Sequence, residues 1–294
     1  MTDDRESVVE VVAEFGENLS SKGFLHPFQK IVKDEVSRQI AKVGNQYLMV
    51  QMPTGAGKTF TALESFVDML RMPFKERFYV WVVDSNELAE QAHNAFVNLW
   101  KMKGDRPLRV YRFFGGYGVS SESLTDGVVF ASFGTLHSIL ENPEHQYHRS
   151  IRNIIKRHEV LVVDEAHKAV AETYCEVVSL FTQQVGTKLV GLSATPGRNS
   201  HAGDFELTNM FDCNLVRIMN KTRQPLEDPL RYLQDKGYLA DLEIDIMETK
   251  VDLDARGVNE HQMLSSLASH SGRNKAILAQ IKEAHENKKA TFVF

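Results

Sequence analysis

Three short stretches hold the residue types that phosphate chemistry requires. Met52-Pro53-Thr54-Gly55-Ala56-Gly57-Lys58-Thr59 follows a β-prone run, Tyr47–Val50. It precedes a helical pattern with Phe60, Leu63, Phe66, Val67 and Leu70 on one face. Strand, small-residue loop and helix make an anion cradle, because backbone N–H groups close around a phosphate at a positive helix N-terminus. Thr54, Gly55, Ala56 and Gly57 would form the cradle, Lys58 would reach the β- and γ-phosphates, and Thr59 would offer its hydroxyl to Mg²⁺. Met52 stands where the pattern G-x-x-x-x-G-K-[ST] has its first glycine.

In the second stretch the apolar run Val160–Val163 delivers two adjacent carboxylates, Asp164 and Glu165. Asp164 suits a Mg²⁺ ion held through its water shell, and Glu165 suits a base that orients and deprotonates an attacking water. Taken alone, such a pair is also an ordinary acidic turn at a strand end. A phosphate cradle about a hundred residues upstream, placed by the same sheet logic, favours the catalytic reading. The third stretch is Ser193-Ala194-Thr195, whose hydroxyls fall after a strand-like run and before Pro196. By itself it reads equally as a polar turn.

These residues need a scaffold, and the hydrophobic pattern supplies one. Strand-like runs at 47–51, 78–84, 109–114, 128–132, 160–164 and 187–193 alternate with amphipathic segments near 59–71, 86–100, 134–140 and 168–182. Val-rich runs without strict alternation are those of strands buried on both faces, so the fold class is α/β, a parallel sheet between helices. Ligands in such sheets bind at the carboxyl ends of the strands, so the three stretches should meet along one edge.

Ahead of this core, Val8, Val11, Val12, Phe15 and Leu19 have helical spacing, predicting a helix over 7–19, and Pro27 opens another running to about Lys42. After Arg198 the alternation fades into a polar stretch punctuated by Pro225 and Pro229. A strand is expected at 241–251, a helix at 265–286 and a buried strand at 290–294, on which the chain stops as a fragment of a longer protein would.

Bulk properties exclude several classes. The 294 residues are 43% hydrophobic and 25% charged, as in ordinary globular domains. A net charge of −5 gives no overall attraction to nucleic acid, so any such binding needs a local groove. Cys175 and Cys213 make neither a disulfide framework nor a metal-binding Cys pair. His137, His145, His148 and His158 lack metal-ligand spacing, and Arg149, Arg152, Lys156 and Arg157 read as a solvated helix face. Phe113–Gly118 reads as a strand ending in a turn. With no signal-peptide core and no apolar run of membrane length, a cytoplasmic protein is expected.

Met52–Thr59, Asp164–His167 and Ser193–Thr195 resemble, in order and separation, motifs I, II and III of the superfamily 2 DEAH-box helicases. The nearest likeness is to the group related to type III restriction enzyme helicase subunits. Asp164–Tyr174, Gly191–Arg198 and Lys236–Ala240 are local strings of the same flavour. The resemblance implies a three-layer RecA-like P-loop NTPase domain at 24–212, after an N-terminal helical extension, 1–23. A connector at 213–285 and the start of a truncated second domain at 286–294 would follow. It implies ATP and Mg²⁺ as cofactors, and catalytic roles for Lys58, Asp164, Glu165 and His167, with Ser193 and Thr195 coupling the site to the motor.

It also makes Gln29, in Leu25–Gln29, an adenine reader; Phe24 or Phe28 offers a ring to stack on the base, though an aromatic at a helix start is more often core. Asp84–Gln91 and Ala131–Leu136 resemble motifs Ia and Ib, implying nucleic-acid contacts from Asn86, Ser132 and Thr135. The implied function is an ATP-dependent helicase or translocase acting on nucleic acid, DNA rather than RNA, with a nuclease or methyltransferase as partner. Lacking the second domain's arginines, this chain would hydrolyse ATP slowly. The alternative is a non-motor ATP-dependent switch or scaffold.

Overall fold

The computed structural model describes residues 7–13, 25–71, 77–168, 172–194, 209–220, 222–241 and 260–286, with side chains at all of these except 172 and 260–264. The chain forms two compact units, Met1–Ala240 and Asp241–Phe294.

The first unit is built on an eight-stranded sheet of order β1-β4-β5-β3-β6-β7-β2-β8. Its strands are β1 Val8–Val11, β2 Gln46–Gln51, β3 Phe78–Val83, β4 Leu108–Phe113, β5 Gly127–Ser132, β6 His158–Val163, β7 Lys188–Ser193 and β8 Leu215–Arg217. Every pairing is parallel except that of β1 with β4. Parallel neighbours need crossover helices, and these cover both faces. Helices α1 Pro27–Ile40, α2 Lys58–Leu70 and α3 Asn86–Lys103 pack on one face with Tyr79, Trp81 and Val83 of β3. Helices α4 Phe133–Glu141, α5 His148–Arg157 and α6 Glu172–Thr182 pack on the other with Phe78, Val80 and Val82. The alternate residues of one strand thus serve two cores, which is why β3 is apolar throughout. The result is the expected three-layer α/β architecture.

Two elements differ from the sequence pattern. Residues 8–11 form strand β1 rather than the start of a helix over 7–19. Three valines in four positions favour extended backbone, and pairing with β4 covers what would otherwise be an open sheet edge. Residues 14–19 of that expected helix lie outside the described residues. Strand β8, only three residues long in a polar stretch, pairs with β2 and closes the opposite side, and α7 Pro229–Asp235 follows it within the first unit. Three of the four basic residues of α5 form a surface helix face: Ile151, Ile154 and Ile155 are buried while Arg149, Arg152 and Lys156 are exposed, and Arg157 is half-buried with its guanidinium over the Phe78 ring.

In the second unit, α8 Glu260–Ser269 and α9 Ser271–Glu286 are joined at His270, whose Nδ1 accepts from the Arg273 N–H at 3.0 Å. The strands expected at 241–251 and 290–294 lie outside the described residues, Asp241 excepted. Among the described residues no helix is long and apolar enough to cross a membrane.

Candidate active site

Strand β2 ends at Gln51 and the chain turns through Met52–Gly57 into α2. Met52 is fully buried in the core, and its N–H donates to the Ser193 carbonyl at 3.2 Å. The position lacking the usual glycine is therefore a core position that ties the first stretch to the third. Gly57 is the N-cap of α2 at φ 75°, where side chains are disfavoured. A Cβ there would also stand 2.4 Å from Gln29 Nε2. Glycine is favoured at that point.

The carboxyl ends of β2 and β6 bring the cradle and the acidic pair together. Lys58 Nζ donates to Glu165 Oε1 at 3.0 Å, and Thr59 Oγ1 donates to Asp164 Oδ2 at 2.9 Å. Asp164 Oδ1 accepts from the Glu165 N–H at 3.0 Å, and His167 Nδ1 stands 3.3 Å from Glu165 Oε2. Glu165 has φ 52°, left-handed backbone that costs a non-glycine residue about 1–3 kcal/mol and is common at functional sites. Burial pushes the Asp164 carboxyl above its usual range, against the lowering pull of Lys58 and of the Thr59 hydrogen bond. A buried carboxylate beside a hydroxyl is a hard-oxygen donor pair, which suits Mg²⁺. Thr54 and Gly55 are exposed at the mouth of the loop.

Gln29 lies on α1 with both ends of its amide engaged. Its Nε2 donates to the Ala56 carbonyl at 2.9 Å, and its Oε1 accepts from the His26 N–H at 2.8 Å. It thereby buttresses the phosphate loop. Phe28 is only 3% exposed and belongs to the core, the alternative the sequence already offered for it. The Phe24 reading, like Thr195, falls outside the described residues. Ser193 is buried at the tip of β7, in register with Gln51.

Asn86, Ser132 and Thr135 come together as a second group. Ser132 Oγ donates to Asn86 Oδ1 at 2.9 Å and stands 2.9 Å from Thr135 Oγ1. Ser85 caps α3, its Oγ accepting from the Leu88 N–H at 3.3 Å, and Ser132 is the N-cap residue of α4. Two positive helix ends therefore meet in one cleft of about 530 Å³, also lined by Gly116, Tyr117 and His145–Tyr147. The Phe113–Gly118 segment is a strand end and turn as expected, and it contributes to this cleft.

A link between the two groups escaped the sequence reading. Asp84, at the end of β3, accepts from Lys168 Nζ and, at 2.7 Å, from the Tyr174 hydroxyl. The Lys168 hydrogen bond foremost, then that of Tyr174, hold the Asp84 carboxyl below its usual range. The same bond pushes the Tyr174 hydroxyl up to about 12. Tyr174 stacks on Phe133 with ring centroids 4.1 Å apart, so α6 joins the acidic loop to the start of α4. Also unforeseen, Tyr238 and Leu239 pack beside His26 and Gly55; the only sequence signal was the string Lys236–Ala240. The histidines have separate roles: His158 is buried, whereas His137 Nε2 lies 3.9 and 3.7 Å from carboxylate oxygens of Glu141 and Glu176.

The ATP-dependent DNA helicase fml1 of Schizosaccharomyces pombe (strain 972 / ATCC 24843) is 26% identical over 253 residues, 84% of this chain. The chain spans 28% of the length of that curated relative. Two solved structures are similar: the Pyrococcus furiosus Hef helicase domain at 19% identity and the UvsW helicase from bacteriophage T4 at 15%. The Hef match has a TM-score of 0.48 and covers 63% of this chain and 35% of that one. The UvsW match has a TM-score of 0.46 and covers 70% and 62%. The family model described as "Type III restriction enzyme, res subunit" matches residues 22–198, which hold the cradle, the acidic pair and the Ser193 strand. The chain belongs to that family, within the superfamily 2 helicases.

Proposed function

We propose that this chain is the ATP-binding portion of a cytoplasmic, DNA-directed helicase or translocase, hydrolysing ATP to ADP and phosphate, with residues 24–212 as the ATP-binding domain. One observation carries the reading: Lys58 and Thr59 meet Glu165 and Asp164 at 3.0 and 2.9 Å, across more than a hundred residues of sequence. Lys58 is held on Glu165, the position from which it would transfer to a bound phosphate. That transfer frees the Glu165 carboxylate to orient water and take its proton. His167, next to Glu165, would relay the state of the site onward. Mg²⁺, when bound by Thr59 and Asp164, would supply charge neutralisation at the phosphates. Gln29 would read the adenine edge once its bond to the loop is exchanged for one to the base. Ser193 and Thr195 would couple the site to movement.

The cleft of Asn86, Ser132 and Thr135 suits a nucleic-acid backbone. Hydroxyls, amides and helix N-termini bind phosphates without reading sequence. The name of the fml1 relative supports DNA over RNA, and the family match supports a nuclease or methyltransferase partner. Arginine fingers raise NTPase rates by about 10³–10⁵. Among the described residues the Glu165 carboxylate is paired with Lys58 and lies beside His167, with no arginine on it, and we propose slow turnover without unwinding.

Phosphate release measured with and without single-stranded DNA tests the proposal. Stimulation by DNA that is lost when Asn86, Ser132 and Thr135 are replaced by alanine is expected. An ATPase indifferent to nucleic acid would instead support the non-motor switch, and efficient duplex unwinding by this chain would refute the slow-turnover reading.

A further inference from the structure

We propose that the turn Gly237–Leu239 is a wall of the nucleotide site, with the Tyr238 ring as a stacking surface for the base and Leu239 as a brace of the phosphate loop. The inference rests on the ATP reading above and adds a residue from the point where the chain leaves the first compact unit, which ends at Ala240.

The turn is built rigidly. Asp228 caps α7 by accepting from the Arg231 N–H at 3.0 Å. After the helix, Gly237 takes φ 69°, and the N–H groups of Tyr238 and Leu239 both donate to the Leu233 carbonyl, at 2.9 and 3.2 Å. Leu233 is fully buried, so the turn is anchored in the core.

From this anchor the turn touches both ends of the nucleotide cradle. The Tyr238 ring lies 4.6 Å from the His26 ring and 5.1 Å from that of Phe28. His26 is the residue whose N–H holds Gln29, and Gln29 holds Ala56. At the phosphate end, a Cβ on Gly55 would stand 3.1 Å from Leu239 Cδ2, so Leu239 lies against one side of the loop at Gly55. Phe28 is enclosed, whereas His26 is exposed and Tyr238 half-buried. Of these three rings, His26 and Tyr238 are the ones that keep solvent-accessible surface, Tyr238 while also packing on the core. Aromatic faces bind bases by stacking, worth about 1–3 kcal/mol per base. The ligand is a nucleoside triphosphate, recognised here by its base as well as its phosphates.

Inorganic triphosphate carries the phosphates without the base and so separates the two contributions. Affinities of ATP and of inorganic triphosphate, both with Mg²⁺, are measured by calorimetry on the 294-residue chain. Tyr238→Ala and Tyr238→Leu, the latter keeping apolar bulk without a ring, are expected to weaken ATP about tenfold. Both should leave triphosphate binding unchanged, and Tyr238→Phe should restore ATP affinity. If both ligands weaken together, or neither does, the stacking wall is refuted. A wild-type chain that binds neither ligand refutes the nucleotide reading itself, a result distinct from either.

Discussion

At the carboxyl edge of the sheet, Lys58, Thr59, Asp164 and Glu165 find their partners in one another, across 105 and 107 residues of sequence. At the amino edge, His158 Nδ1 meets the Ile155 carbonyl at 2.7 Å and Lys188 Nζ donates to the Lys42 carbonyl at 2.6 Å and to that of Gly44. At both edges these polar groups are paired, but the partners differ in kind. Backbone carbonyls are fixed acceptors with no alternative state. A lysine on a glutamate and a hydroxyl on an aspartate can each exchange partner for a phosphate oxygen or a metal ion. Buried polarity alone therefore does not mark a site here. Exchangeable charge drawn from distant segments does.

The comparison predicts that equal insults at the two edges have unlike consequences. The largest effect belongs to Glu165→Gln, which keeps shape and removes the base. Phosphate release should fall by about 10²–10⁴-fold while nucleotide binding persists, as single-turnover assays alongside binding titrations would reveal. At the amino edge, Lys188→Met strands two carbonyls and should cost about 1–3 kcal/mol in urea unfolding, with nucleotide affinity unchanged. A loss of affinity in that variant would erase the distinction between the edges.

The effect that builds most gradually is a pH dependence. Burial depresses His158 from 6.5 to about 4. Between those values the unfolded chain binds the proton that the folded chain refuses, so folding stability falls as pH drops through that window. The slope from this one group is at most about 1.4 kcal/mol per pH unit. It should vanish in His158→Gln, whose unfolding followed from pH 7 to pH 4 gives the check.

Legibility from sequence followed range. The cradle and the run Val160–Glu165 are contiguous, so residue type and the apolar pattern before them sufficed, and six strands and the helices between them were readable for the same reason. Val8–Val11 was ambiguous because valines at 8, 11 and 12 fit a helical face; the open side of β4, a hundred positions away, decided for strand. β8 was invisible because three residues carry no period. The Asp84–Tyr174 bond and the approach of Tyr238 to His26 depend on pairs 90 and more than 200 positions apart, and no local pattern encodes them. Gln29 was identified as part of the site, but its hold on Ala56 appears only when α1 is seen against the loop.

Lys58 and its neighbours are proposed to form a Mg²⁺-dependent ATP site. Calorimetric titration of ATP into the wild-type chain and into Lys58→Ala, with Mg²⁺ and with a chelator, addresses it most directly. Saturable binding by the wild type is expected, weakening at least about tenfold on loss of Lys58, since hydrogen bonds to charged groups contribute about 1.5–3 kcal/mol. The chelator should weaken binding as well. Undiminished binding by Lys58→Ala, or no binding by the wild type, would contradict the proposal.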